Sequence, residues 1–201
     1  MADATTGAAR AEWRTIDELA GLVGAYCWVE HRIFELTGAW ATRPGVSEEA
    51  DAAGGAELRV FWAATSRRHG ALAARWAERL PVRAGVDAAA LVTAPAGPLA
   101  GALGTLAAEP DPGARTDALV GSVLPLLATV YGAHLGTASP VSEGPVMEVL
   151  VEARRESAAE VRGGTAILGA FPPGSEGAAR LRAGIEQAFE GTGVFPAVRP
   201  S

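Results

Sequence analysis

Thr15-Ile16-Asp17-Glu18-Leu19-Ala20-Gly21-Leu22-Val23-Gly24-Ala25-Tyr26-Cys27-Trp28-Val29-Glu30-His31-Arg32-Ile33 is the stretch on which the reading of the fold turns. Thr15 and Glu18 have the spacing of a capping box, in which a threonine caps the amide three residues on and the glutamate returns the bond. From Leu19, the residues Leu22, Val23, Tyr26, Ile33 and Thr37 recur mostly at spacings of three and four, which gives one apolar face to a long helix. Glu30 falls within that face. Thr42-Arg43-Pro44 ends the helix. A carboxylate among buried apolar groups has to be paired or liganded, so Glu30 sets the question that the other helices must answer.

Working outward, Ala56 to Leu80 carries Leu58, Trp62, Thr65, His69, Leu72 and Trp76 along one face, and Pro81 stops it. Arg67, Arg68, Arg75 and Arg79 fall mostly on other faces and read as a solvated surface. Val82 to Ala114, with Pro95, Pro98, Pro110 and Pro112, reads as a long crossover holding one short helix at Leu99 to Ala108. A third helix is predicted from Thr116-Asp117 to Ser139-Pro140, with Leu119, Val123, Leu126, Leu127, Val130 and His134 inward and a kink at Pro125. The fourth opens at Gly144-Pro145, carries Val149, Ala153, Glu156, Glu160, Gly163 and Ile167 on one face, and ends before Phe171-Pro172-Pro173. Ser175 to Phe189 forms a shorter amphipathic helix with Leu181, Ile185 and Phe189 on its stripe.

At about 1.5 Å per residue the four long helices are each about 35–42 Å long and can pack side by side. The short third loop makes helices three and four antiparallel neighbours, and the long second link can return along the whole assembly. The expectation is an all-α four-helix bundle with one long crossover between helices two and three. Residues 1–14 are expected to be a frayed tail, 15–171 the bundle, and 172–201 a helix and tail packed outside it as a lid or an interface.

The 201 residues are 49% hydrophobic and 20% charged, the balance of one packed domain. The chain contains no lysine and no asparagine, which excludes a Schiff-base lysine, a lysine-bearing phosphate loop and an N-glycosylation sequon. A net charge of -6 argues against a nucleic-acid partner. The lone Cys27 cannot form an internal disulfide, and the first residues carry acidic groups and lack an apolar segment, so a cytoplasmic location is expected. The uncharged runs Ala88 to Ala108 and Ala118 to Gly136 are long enough to compare with a membrane span. Prolines break the first, and the second has the helical pattern of a buried core element, so no membrane is expected.

Each long helix places an ionisable group on its inner stripe: Glu30, His69, His134, and the pair Glu156 and Glu160. That convergence is the functional signal. Cys27 reads as a buried inert thiol, and His31 lies about 100° around the helix from Glu30 and points outward.

With Trp28-Val29-Glu30-His31-Arg32-Ile33-Phe34-Glu35 and Glu78-Arg79-Leu80-Pro81, residues 15–171 resemble the ferritin-like superfamily, and in particular its uncharacterised bacterial members. The resemblance implies a ferritin-like bundle with a di-iron centre built from Glu on the first helix, Glu-x-x-His on the second, Glu on the third and Glu-x-x-His on the fourth. This chain departs from that set. Helix two reads Ser66-Arg67-Arg68-His69, helix three has no acid between Ala118 and Ala138, and helix four reads Glu156-Ser157-Ala158-Ala159. Glu30, His69 and Glu156 survive, and they carry too few anions for two metals even with Glu160 added.

Three functions follow as expectations. The first is a cofactor-free acid/base enzyme of isomerase, cyclase or lyase type. Glu30, His69 and Glu156 are its catalytic groups, and Tyr26, Trp62, Tyr131, His134 and Glu160, with Trp28 and Trp76, wall its pocket. The second is an iron-dependent oxidoreductase with Glu30, His69, His134 and Glu156 as ligands. The third is a non-catalytic module that binds a ligand or forms a homodimer, its polar residues being buried ion pairs such as Glu30 with His69. Gly163-Gly164 serves either a close helix contact or room for a ligand.

Overall fold

In the computed structural model, residues 13–42, 55–169, 176–193 and 195 are described. The tail through residue 12, the connection at 43–54, Phe171-Pro172-Pro173 and the last residues lie outside them. Within the described residues the chain is all-helical, with six helices and no strand. They are α1 (Ile16–Thr42), α2 (Ala56–Ala77), α3 (Leu99–Ala108), α4 (Pro112–Thr137), α5 (Pro140–Leu168) and α6 (Glu176–Glu190).

The capping box forms as its spacing dictates. The Glu18 amide donates to the Thr15 hydroxyl at 3.2 Å, and the Thr15 amide donates to the Glu18 carboxylate at 2.7 Å. The Thr15 amide, together with the Thr15 hydroxyl donating to the same carboxylate at 2.8 Å, holds the Glu18 carboxyl below its ordinary pKa. α2 ends at Ala77, short of the expected Leu80, because the Arg79 and Leu80 amides bond three residues back and tighten the chain before Pro81.

Two predicted helix starts were too late. α4 begins at Pro112, four residues before Thr116, since Asp111 caps the Gly113 amide at 2.9 Å and Pro112 needs no bond at the first position. α5 begins at Pro140 with Ser139 as its cap, so Pro145 sits inside the helix. The carbonyl it leaves without a donor belongs to Val141, which is 89% exposed and open to water. Pro125 produces a π turn over Leu119–Val123, in which the Leu124 amide reaches back five residues to the Leu119 carbonyl.

α1 and α2 pack antiparallel, with Cys27 against Ala73, Glu30 against His69, and Phe34 against Ser66 and Gly70. α4 and α5 pack antiparallel as well, from His134 beside Glu143 to the π turn beside Gly164. A Cβ on Gly164 would lie 2.3 Å from Val120, so that glycine serves close approach of the helices; Gly163 faces open space. α2 joins the pairs through Arg68 to Glu160 and Arg75 to Glu152. The crossover is seated at Gly24, where a Cβ would lie 2.0 Å from the Leu91 carbonyl oxygen. α4 is long and apolar enough to cross a membrane by length and composition, and 56% of its apolar window is buried inside the protein. α3 and α6 pack on this core, α6 burying Ile185, Ala188 and Phe189.

Candidate functional site

Two chains of buried polar groups run through the interior. In the first, both ring nitrogens of His69 meet a carboxylate: Nδ1 bonds to Glu30 Oε2 and Nε2 to Glu160 Oε2 at 3.0 Å. The Tyr131 hydroxyl donates to Glu30 Oε1. Arg68 extends the chain towards solvent, donating to Glu160 Oε1 at 3.3 Å. Glu30, His69 and Tyr131 are wholly buried and Glu160 almost so.

An ionised carboxylate only accepts hydrogen bonds, so this geometry asks His69 to donate from both nitrogens, as an imidazolium. Burial works against that charge. The Glu30 and Glu160 carboxylates outweigh it and push the His69 pKa up to about 10. Two negative and two positive groups, Glu30, Glu160, His69 and Arg68, then balance. Burial, followed by the charge of Glu30, raises the Tyr131 pKa well above its ordinary value, so the phenol keeps its proton.

The second chain lies one helical turn away along α1 and α4 and takes its carboxylate from the first turns of α5. The Tyr26 hydroxyl is 3.2 Å from His134 Nδ1, and His134 Nε2 is 2.7 Å from Glu143 Oε2. Glu143 Oε1 accepts from Arg14 at 3.4 Å and from the Ser139 amide at 3.3 Å, and Arg14 also donates to Thr137 at 2.9 Å. Glu143 accepts from His134 Nε2, and Nδ1 shares a single hydrogen bond with the phenol. Burial above all raises the Tyr26 pKa and keeps that phenol protonated. The two chains touch through Tyr26 and Tyr131, whose rings meet edge to face at 5.1 Å.

Comparison with protein family models, with curated proteins and with solved structures finds no match for this chain.

The structure brings together Glu30, His69, Glu160 and Tyr131 among the expected site residues. Glu156 stands apart, half-buried at the surface, where it pairs with Arg155 at 2.9 Å and Arg68 at 3.9 Å. Its neighbour Ser157 holds the inward position, because the buried stripe of α5 runs Ala153, Ser157, Glu160 and Gly164. His134 belongs to the second chain with Tyr26. Trp62 lies two turns from His69, packed edge-on to Trp40 at 5.7 Å under the Arg115 guanidinium, with its indole N–H donating to Thr116 at 3.1 Å. Cys27 is buried and gives its thiol to the Ala73 carbonyl; burial pushes its pKa up to about 11, away from a reactive thiolate. His31 is exposed, as its helical angle implies.

Glu143 and Arg14 were missed. A helix start at Gly144 leaves Glu143 outside α5, and a frayed tail over 1–14 takes in Arg14. The signal for Glu143 was Ser139-Pro140, a cap followed by a first-position proline, which puts the acid in the first turns of α5.

These residues do not fit an iron centre. The carboxylates of the first chain approach opposite edges of the His69 ring, so a cation at either nitrogen meets one of them, and His134 is committed to Tyr26 and Glu143. Among the described residues no group of three or more His, Cys, Asp or Glu is arranged to hold a metal.

Proposed function

We propose that the chain is a non-catalytic helical binding module whose Glu30–His69–Glu160 triad is a structural clamp. We read its architecture as a ferritin-like four-helix bundle in which a buried ion cluster stands where the superfamily carries metal ligands. The observation that carries this reading is the closure of the triad: both nitrogens of His69 are occupied by protein carboxylates, and the ring is fully shielded from solvent. A general acid or base has to reach its substrate's proton, and every such group here is spent on another side chain.

Binding is supported at the surface. A cleft of about 320 Å³ between α3 and α6 is lined by Ala102, Thr105 and Glu109 on one side and Arg180, Leu181 and Gly184 on the other. That volume lies at the lower end of small-molecule sites. A Cβ on Gly184 would meet nothing within 4 Å, so the space in front of it is open to a ligand or to a larger side chain.

The test is a thermal-shift screen of small metabolites on the wild-type chain, on Gly184→Phe, and on a Glu30→Leu/His69→Leu/Glu160→Leu triple variant. The module reading expects compounds that stabilise the wild type and the triple variant but not Gly184→Phe. Compounds consumed by the wild type and left intact by the folded triple variant would reject it in favour of acid/base catalysis.

A further inference from the structure

Beyond α6 the chain turns through Gly191, Thr192 and Gly193 and returns the Phe195 ring to the interior, where the residue is 7% exposed. Backbone contacts fasten the turn. The Gly191 amide donates to the Gln187 carbonyl at 3.1 Å, and the Thr192 hydroxyl donates to the Phe189 carbonyl at 3.0 Å. Gly97, with φ +99, lies so close that a Cβ there would be 2.6 Å from the Gly191 carbonyl oxygen. Phe195 is held by its ring. It lies 11° from parallel with Tyr26 at 5.6 Å, and 26° from parallel with Phe189 at 6.1 Å.

Tyr26 also meets Trp76 at 5.0 Å, Tyr131 at 5.1 Å and His134 at 5.8 Å. Those three rings stand on α2 and α4, whereas Phe195 comes from a residue outside any helix. The Tyr26 and Tyr131 hydroxyls and both His134 nitrogens are already bonded, and the two rings that flank Phe195, Tyr26 and Phe189, offer it stacking faces.

We propose that Phe195 is a tethered ligand occupying a site for an uncharged planar aromatic ring between Tyr26 and Phe189, and that a free aromatic molecule displaces it. Offset stacking at these separations is favourable for any such ring, and burial without a charged partner selects neutral ones. A tethered occupant lowers the apparent affinity for a free one by the fraction of time the site stands open. This site is distinct from the cleft between α3 and α6 and does not depend on what that cleft binds.

Indole, titrated calorimetrically into the full chain and followed by amide hydrogen exchange, tests it. Phe195→Ala is expected to bind indole about tenfold more tightly than the wild type, because the competing ring is gone. In the wild type, bound indole should speed exchange at Gly191 and Thr192. Phe195→Leu should fall between the two and serves if the alanine variant does not fold. Gly184→Phe should leave binding unchanged; loss of binding there would move indole to the cleft and overturn the proposal. Equal affinity in all three Phe195 forms, no binding to any, or wild-type binding with unchanged exchange at the turn would overturn it as well.

Discussion

The two buried polar chains share helices and touch through a pair of tyrosines, yet they meet the cost of burial in different ways. The clamp gathers full charges: two carboxylates face one imidazolium, with Arg68 completing the balance at the edge. The Tyr26–His134–Glu143 chain spends one carboxylate on Arg14 and fills the space between with a phenol and an imidazole. The difference teaches that polarity in a core is not one property. A cluster of complete charges is sensitive to the loss of any member, because the partners left behind are still ions without water. A chain of hydrogen bonds in which one carboxylate ends on Arg14 loses roughly a hydrogen bond at a time.

The contrast is broken most directly by truncating each histidine. His69→Ala leaves Glu30 as a buried anion without a cation and Glu160 with Arg68 alone, and is expected to destabilise by about 3–5 kcal/mol, against about 1–3 kcal/mol for His134→Ala, both read from urea unfolding. Equal losses would erase the distinction. Replacing Glu30, His69 and Glu160 together with leucine should cost little or even stabilise, since no ion then remains buried.

Titration sharpens the same contrast. The His69 pKa rises from the ordinary 6.5 to about 10 on folding, so its contribution is complete below pH 6.5 and is lost as pH climbs through 10. Unfolding midpoints of the wild type should fall across that window, and those of the triple leucine variant should fall less. A flat wild-type profile between pH 7 and pH 10 would mean that His69 is neutral in the fold.

Smaller effects are expected at the ends of the two chains. Arg14→Met removes a cation from Glu143 but leaves the His134 and Ser139 donors in place, so a loss of about 1.5 kcal/mol in chemical denaturation is expected. Glu156→Gln touches only a half-buried surface pair and should change stability by less than about 0.5 kcal/mol. A larger loss there would return Glu156 to the interior.

How much of this was legible follows the same division. Glu30 and His69 could be paired from sequence because long, well-capped helices fix which residues face inward, and the Thr15–Glu18 box set the frame of α1. Glu156 and Glu160 are both compatible with an inner stripe over one turn. What separates them is the small rotation of α5 that buries Ser157 and leaves Glu156 to surface arginines. Glu143 lies ahead of the expected start of α5, and Arg14 precedes the cap of α1, where no periodicity marks it. Phe195 had no periodic pattern around it, so nothing local marked it as part of the core.

The clamp also imposes an order on biosynthesis. Glu30 and His69 can meet as soon as α2 is made, but Glu160 lies 91 residues beyond His69. At roughly 5–20 residues per second, the ribosome delivers it about 5–20 s later. During that interval the nascent hairpin of α1 and α2 holds an unfinished ion cluster with its apolar face uncovered. It is then that a chaperone would have most to hold.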